Sequence, residues 1–262
     1  MKSPQELYAC LYVREFPAQA LMRLRPELED KAVVVLEGEP PLQTVCSLNA
    51  KARAMGIVAG MTRVELDTFS GSAILPRSRA EESAARAVLL ECAGAFSPRV
   101  EDRSQDAAFV CVLDIAGTEK LLGTPQNLAQ TLRCRVRTLG IAATVTVSSN
   151  VLAAVCLARG AGGRKGTWVV AAGGEAAALA PLPVAVLDLS EQQAETLAQW
   201  GIHTLGMLAG LPERALIARL GQEGRRLRQL AGGASEHLFL PVEPVFCLEE
   251  RMELDTPVEA LD

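Results

Sequence analysis

The chain has 262 residues, 49% of them apolar and 22% charged, which is enough hydrophobic material for a full core and excludes intrinsic disorder. Its formal charge of −5 argues at first against a nucleic-acid partner. Eight of the acids, however, lie between Glu236 and Asp262 against Arg251 alone, so residues 1–235 carry 25 basic and 23 acidic groups. The seven scattered cysteines never show C-x-x-C spacing, and the only histidines are His203 and His237, so a disulfide framework and a zinc site are excluded.

Leu7–Val13 is an apolar run that predicts a strand. Phe16–Leu24 has helical spacing and stops at Pro26, because proline restricts the residue before it and cannot extend a helix. Ala32–Leu36 predicts a short β-branched strand, Ser47–Met55 a helix closed by Gly56, and Thr62–Thr68 another short helix. Arg79–Phe96 predicts a longer amphipathic helix with Ala84, Val88, Leu89, Cys92 and Phe96 on its buried face. Ala107–Ile115 predicts a strongly apolar strand. Pro125–Leu139 predicts a helix with Leu128, Leu132 and Val136 inward. Ala142–Val147, Ser149–Arg159 and Thr167–Ala171 predict a strand, a helix and a strand. The uncharged stretch Thr138–Ala158 is long enough to span a membrane, but its alternation at Thr144–Val147 followed by Ser148-Ser149-Asn150 reads as strand and turn. With no signal-peptide pattern at the N-terminus, the expectation is a cytoplasmic protein without a membrane partner.

After Gly173-Gly174 the character changes. Short helices at Gln192–Trp200, Thr204–Ala209, Glu213–Leu220 and Gln222–Ala231 are punctuated by glycines. Five arginines between Leu211 and Leu230 (Arg214, Arg219, Arg225, Arg226, Arg228) face two acids, Glu213 and Glu223, and could neutralise phosphates or form an ordinary solvated face. The tail from Glu236, with three prolines, reads as a linker.

Other motifs are weaker. Gly160–Thr167 is glycine-rich, but its Lys165-Gly166-Thr167 order and its place between helix and strand reverse the context of a phosphate loop. Ser148-Ser149 has no histidine nearby for a hydrolase. Glu101, Asp102, Asp106 and Asp114 border the apolar strand, where paired carboxylates could hold Mg²⁺, or could be loop chemistry.

The motifs taken in order resemble the Y-family (translesion) DNA polymerases, and specifically their ImuB-type subgroup. Phe16-Pro17-Ala18-Gln19 sits at the family's Phe-Phe/Tyr-Ala-x-Val. Pro26 through Val35 is similar to its Pro-x-Leu-x-x-Lys-Pro-Val-x-Val, and Asn49 through Met61 to its Tyr-x-Ala-Arg-x-x-Gly-Ile-x-x-Gly-Met. Leu113-Asp114-Ile115-Ala116-Gly117 matches Leu-Asp-Val-Thr-Gly, Thr146–Asn150 matches Gly-Ile-Ser-x-Asn-Lys, and Leu197–Ile202 is similar to the thumb's Leu-x-x-Leu-Gly-Ile.

The resemblance implies an α+β fold: a polymerase palm with a ferredoxin-like mixed α/β sheet, a small fingers insertion and an all-helical thumb. Residues 1–15 and 78–173 would be palm, 16–77 fingers, 174–235 thumb, and 236–262 an acidic linker toward a little-finger domain. That domain would begin near Glu249–Glu259, where the sequence stops, as in a truncated or naturally short relative.

The departures carry the functional expectation. Counting from the motifs, the family's metal-binding acids fall on Tyr12, Phe109 and Val110, a second acid of the first strand on Arg14, and the bulky ribonucleotide gate on Pro17. A phenol and two hydrocarbons cannot coordinate Mg²⁺. The triphosphate-binding Thr, Tyr and Arg become Ser47, Ala50 and Arg53, so Ser47 and Arg53 are a nucleotide-binding remnant, and the Lys of Ser-x-Asn-Lys is Val151. The thumb's Pro-Gly-Ile-Gly hairpin becomes roughly Leu187–Ser190.

On this reading the chain is not an enzyme, needs no metal or other cofactor, and acts as a scaffold of an error-prone repair complex, the mutasome of the SOS response to DNA damage. Arg219, Arg225, Arg226 and Arg228 are the expected DNA contacts. The implied partners are damaged or primer–template DNA, a C-family error-prone polymerase, a RecA-like ImuA-type protein, and the β sliding clamp through a region beyond the sequence. His237-Leu238-Phe239-Leu240 is similar to a clamp-binding peptide without its glutamine, and reads better as a linker contact. Two alternatives remain: a protein-only interaction module, and an active nucleotidyltransferase using displaced acids such as Glu15, Asp106 or Asp114.

Overall fold

A computed structural model describes residues 6–105, 107–161 and 166–242. Two sheets and a helical unit make up the molecule. The larger sheet has the order β5-β6-β1-β7-β8, built from β1 (Tyr8–Arg14), β5 (Val100–Asp102), β6 (Ala108–Asp114), β7 (Thr144–Ser148) and β8 (Thr167–Val169). β1 lies at its centre, antiparallel to both β6 and β7, while β7 and β8 run parallel. The smaller sheet, β3-β2-β4, joins β2 (Ala32–Glu37), β3 (Thr44–Leu48) and β4 (Ser72–Pro76).

Burial on both faces explains why β1 and β6 read as continuous apolar runs rather than alternating ones. One face packs Leu11, Val13, Phe109, Cys111 and Leu113 under α4 (Arg79–Gly94) and α6 (Pro125–Thr138). The other packs Cys10, Val110 and Val112 under α7 (Val151–Gly160). The inward apolar residues of α4 are Ala85, Leu89 and Ala93, and Phe96 is buried just beyond its end. Ala84 is exposed and Val88 only half-buried, so the expected face is rotated by about one residue. The short alanines on this helix leave its periodicity ambiguous until a partner surface selects one stripe. On α6, Leu128, Leu132 and Val136 are fully buried, as their spacing predicts.

Caps set the helices that border the site. Asn150 accepts from the Ala153 N–H at the start of α7 and donates to the Ser235 carbonyl, so the Asn of the Ser-x-Asn motif begins the helix and ties it to the following segment. Asn49 likewise accepts from Ala52 N–H at the start of α2 (Ala50–Ala54), and also from Val33 N–H on β2. The expected helix Ser47–Met55 is therefore a strand ending at Leu48 and a helix starting after Asn49. Pairing of Val45, Ser47 and Leu48 with β2 overrides the local helical spacing. Strands β4 and β5 gave no clear sequence signal because they are short and lie at sheet edges.

The first sheet unit is completed by α1 (Phe16–Met22) and α5 (Glu119–Leu122), and the second by α3 (Arg63–Leu66), whose Thr62–Glu65 capping box fixes its entry. Beyond β8 come α8 (Glu175–Leu179), α9 (Glu191–Gln199), α10 (Leu205–Gly210), α11 (Glu213–Leu220) and α12 (Gln222–Ala231), with no named strand among the described residues. Leu179, Leu197, Leu205, Leu208, Leu216 and Leu227 form their core. A close approach of α11 and α12 requires Gly224, where a Cβ would lie 2.6 Å from the Leu216 carbonyl oxygen.

A buried carboxylate joins the helical unit to the large sheet. Glu175, at the start of α8, accepts from Ser148 Oγ at 3.2 Å and Ser149 Oγ at 2.6 Å. Burial alone would raise its pKa, but the hydrogen bonds from Ser149, from backbone N–H groups and from Ser148 outweigh it and hold the carboxyl below its ordinary value. No helix among the described residues is long and apolar enough to cross a membrane.

Candidate functional site

The register of β1 on β6 brings the three degenerate positions together across nearly a hundred residues of sequence. Tyr12 faces Val110, and Val13 faces Phe109. Successive side chains on a strand point to opposite faces, and the two residues of β6 separate accordingly. Phe109 is fully buried and meets Phe16 with ring centroids 5.6 Å apart. Val110 is fully buried on the other face, among Cys10, Val151, Ala154 and Val155, with Tyr12 packed at the border of that cluster. Burial pushes the Tyr12 phenol up, against a smaller pull from Arg14 and Arg159, so it stays a protonated donor at neutral pH. A divalent cation pair needs several carboxylate or carbonyl oxygens, and the groups at these three positions do not fit one.

Displaced acids are not gathered here either. Asp114 pairs with Arg99 at 2.7 Å and accepts from Ala116 N–H; it lies four residues along β6 from Val110, roughly 13 Å away at strand rise. Asp102 is held by Arg86 and the Ser104 N–H, and Glu101 by His237 and Arg103. Asp106 lies outside the described residues. Among the described residues no three His, Cys, Asp or Glu side chains come together in a way that could hold a metal. The buried thiols are not nucleophiles, since burial pushes Cys10 and Cys156 up to about 12.

Glu15 is close to the site but committed. It begins α1 in left-handed backbone geometry, with φ 53°. Its carboxylate accepts from Ser47 Oγ at 2.9 Å and Leu48 N–H at 3.1 Å, and it pairs with Arg53. Ser47 and Arg53, the two residues expected to survive from a nucleotide site, thus share an internal anion. The sequence offers no signal for this, because Glu15 meets its partners only when α1, β3 and α2 pack.

The thumb arginines are equally revealing. Arg225 and Arg228 both approach Glu213, at 3.4 and 3.6 Å, and Arg228 also donates to the Leu211 carbonyl. Arg226 lies 3.3 Å from Glu223. Arg219 is exposed and forms no ion pair among the described residues. The four are therefore not equivalent.

The segment His237–Leu240 docks on the outer edge of the large sheet. His237 meets Glu101 at 2.8 Å, Phe239 stacks on Tyr8, and Val242 N–H donates to the Val100 carbonyl. This agrees with a linker contact. Of the glycine-rich stretch, Gly160 closes α7 and Thr167 opens β8; residues 162–165 are outside the described range.

Comparisons with known proteins follow the same frame. The chain is 32% identical over 226 residues to a protein named DNA polymerase IV from Dehalococcoides mccartyi, covering 84% of this chain and 55% of the relative. It is 32% identical over 184 residues to Protein ImuB of Caulobacter vibrioides, covering 69% of this chain and 38% of that protein. The chain thus spans about half the length of the curated relatives it matches. Among solved structures, DinB from Sulfolobus solfataricus superposes with a TM-score of 0.73 at 20% identity over 89% of this chain and 69% of that one. An insertion ternary complex of Dbh DNA polymerase gives 0.72 at 22% identity over 88% of this chain and 69% of that one. These likenesses establish the polymerase palm fold.

They also correct one expectation. Relatives named DNA polymerase IV overturn the expectation that the chain is not an enzyme, which rested on the replaced metal-binding acids, the eroded nucleotide contacts and the ImuB-type resemblance. The model described as the impB/mucB/samB family matches residues 11–159, more than half of the chain, and the protein belongs to that family, the Y-family polymerase group.

Proposed function

We propose that the chain works in translesion DNA synthesis as a polymerase-like scaffold of an error-prone complex, resting on DNA and joining it to partner proteins. The observation that carries this reading is the retained frame: the family match over residues 11–159 together with the likeness to Protein ImuB over 69% of the chain. Both sheets and the helical unit stay packed while Ser47 and Arg53 bind Glu15. In this proposal Arg219, Arg225, Arg226 and Arg228 meet DNA phosphates, and the partners are a C-family error-prone polymerase, a RecA-like ImuA-type protein and the β sliding clamp.

Fluorescence anisotropy with a primer–template duplex, at low and physiological salt, tests the DNA half. Binding should weaken linearly on a log–log salt plot, with a shallower slope for Arg219→Glu. Co-purification with each named partner tests the other half. A protein-only module is the second reading, favoured by the engagement of three thumb arginines with acids of their own domain. Absence of binding even at low salt would select it.

A further inference from the structure

The small sheet has a core of its own, formed by Val34, Leu36, Val45, Leu48, Ile57 and Leu66 with their neighbours. Its apolar seam with the rest of the molecule is Ala18 and Leu21 of α1 against Val35, with Cys46 and Leu75 partly buried at the border. The opposite face of the same helix, Phe16 and Ala20, belongs to the core of the large sheet. α1 is therefore a wedge between two bodies. A seam with so little buried apolar surface leaves relative motion as the default.

Charged pairs complete the connection. Two consecutive carboxylates in the first turn of α4 hold the chain where it enters the small sheet and where it leaves. Glu81 accepts from both Nη atoms of Arg25, at 2.8 and 2.7 Å, ahead of β2. Glu82 accepts from Nε and Nη2 of Arg77, at 2.7 and 2.9 Å, one residue after β4. Arg77 continues to Glu37 at the end of β2, at 2.8 Å, and Arg79 of α4 holds the other oxygen of Glu37, also at 2.8 Å. Neighbouring residues on a helix point about 100° apart, so one turn serves both crossings. The side chains of Arg77 and Glu82 are only 6% and 11% exposed, which shields that pair from salt and makes it costly to leave half-made. The hydrogen bonds from Arg25 hold the Glu81 carboxyl below its ordinary value, so it is charged at neutral pH.

We propose that the small sheet is a hinged body, turning about residues 25–31 and 77–78, and that Glu81 and Glu82 are the latch that sets its closed position. A bidentate carboxylate–guanidinium pair has one favoured planar geometry. Two such pairs at the two chain crossings fix an angle that the apolar seam alone leaves slack. Opening carries Leu48, Asn49 and Ala50 away from Gly140 and Ala142, which face them across an open groove of about 360 Å³, so the latch sets the width of that groove. This inference does not depend on the scaffold reading.

The seam carries its own reporter. Cys46 lies at its border, donates to the Val35 carbonyl at 3.4 Å, and has its thiol pushed up by burial. Cys92, partly buried like it, packs on the core of the large sheet, where Cys111 is fully buried; Cys10 is fully buried on the other face. Labelling of the full chain with N-ethylmaleimide, read by peptide mass spectrometry, gives the rate at each thiol. Glu81→Gln should raise the Cys46 rate about threefold, the scale of one partly exposed pair. Glu81→Gln/Glu82→Gln should raise it at least about tenfold, with Cys92, Cys10 and Cys111 unchanged, the pattern of an opening confined to the seam. Arg77→Lys keeps the charge without the fork and should also raise the Cys46 rate. Equal acceleration at all four thiols would make these pairs ordinary contributors to global stability and overturn the proposal. So would a wild-type Cys46 rate in the double variant. Because Glu82→Gln removes a buried charge, a thermal melt accompanies it. If the double variant melts early, the Glu81→Gln rate decides alone, and a wild-type value there overturns the latch.

Discussion

The palm-like sheet and the thumb-like helices both carry arginine clusters, and they compensate them differently. On α11 and α12, Arg225, Arg226 and Arg228 lie beside Glu213 and Glu223 of the same unit. At the mouth of the large sheet, four arginines converge from four different elements, and among the described residues two carboxylates, Glu15 and Asp188, answer them. In the thumb only Arg226 and Glu223 are local, three residues apart on one helix, while Glu213 reaches Arg225 and Arg228 from the neighbouring α11. In the sheet the arginines come from separate elements: Glu15 answers its neighbour Arg14 and, through packing, Arg53, and Asp188 answers Arg159. Charge density in the sequence is thus a poor guide to which basic surface can still receive an anion.

The two regions should also respond differently to damage. The largest effect is expected in the sheet: Phe109→Ala empties a fully buried site against Phe16 and should cost about 3–5 kcal/mol by denaturant melts. A loss under 1 kcal/mol would mean that the apolar replacements on β6 do not support the core. In the helical unit, Gly224→Ala forces a methyl onto the Leu216 carbonyl and should cost roughly 1–3 kcal/mol, read as a lower melting temperature.

At the seam, hydrogen bonds from Ser149, backbone N–H groups and Ser148 hold the Glu175 carboxyl below its ordinary value of 4.5. A carboxylate with a lowered folded-state pKa stabilises the fold above its unfolded value and loses that contribution as pH falls through the folded one. Wild-type stability should therefore fall more steeply than that of Glu175→Gln as the pH drops below 4.5; parallel curves would break the assignment. The smallest effects concern DNA. Arg219→Glu should reduce the salt slope by about one, and Arg225→Glu by less, because Glu213 already offsets it. Releasing Arg225 and Arg228 with Glu213→Gln should tighten DNA binding by roughly threefold, the scale of one exposed pair. Equal slopes for the two arginine variants would erase the contrast between paired and unpaired thumb arginines.

Much of the frame was legible in the sequence. The apolar runs of β1 and β6, the Leu128–Leu132–Val136 stripe of α6 and the glycine-punctuated helices are local patterns, and ordered motifs spread over most of the chain pointed to one family. Local patterns also misled. Ser47–Met55 looked helical until β3 paired with β2, and the alanine-rich α4 could not declare its buried face.

What the sequence determined by itself was composition, element type wherever periodicity was strong, and which side chains stand at Tyr12, Phe109 and Val110. Tertiary structure alone decided that Glu15 would occupy Ser47 and Arg53, that Glu213 would shield Arg225 and Arg228, and that Arg133 would lie against Gly166. The reason is physical: helix and strand periods are encoded within a few residues, whereas charge compensation depends on distances between groups far apart in the chain, which exist only once the elements have packed.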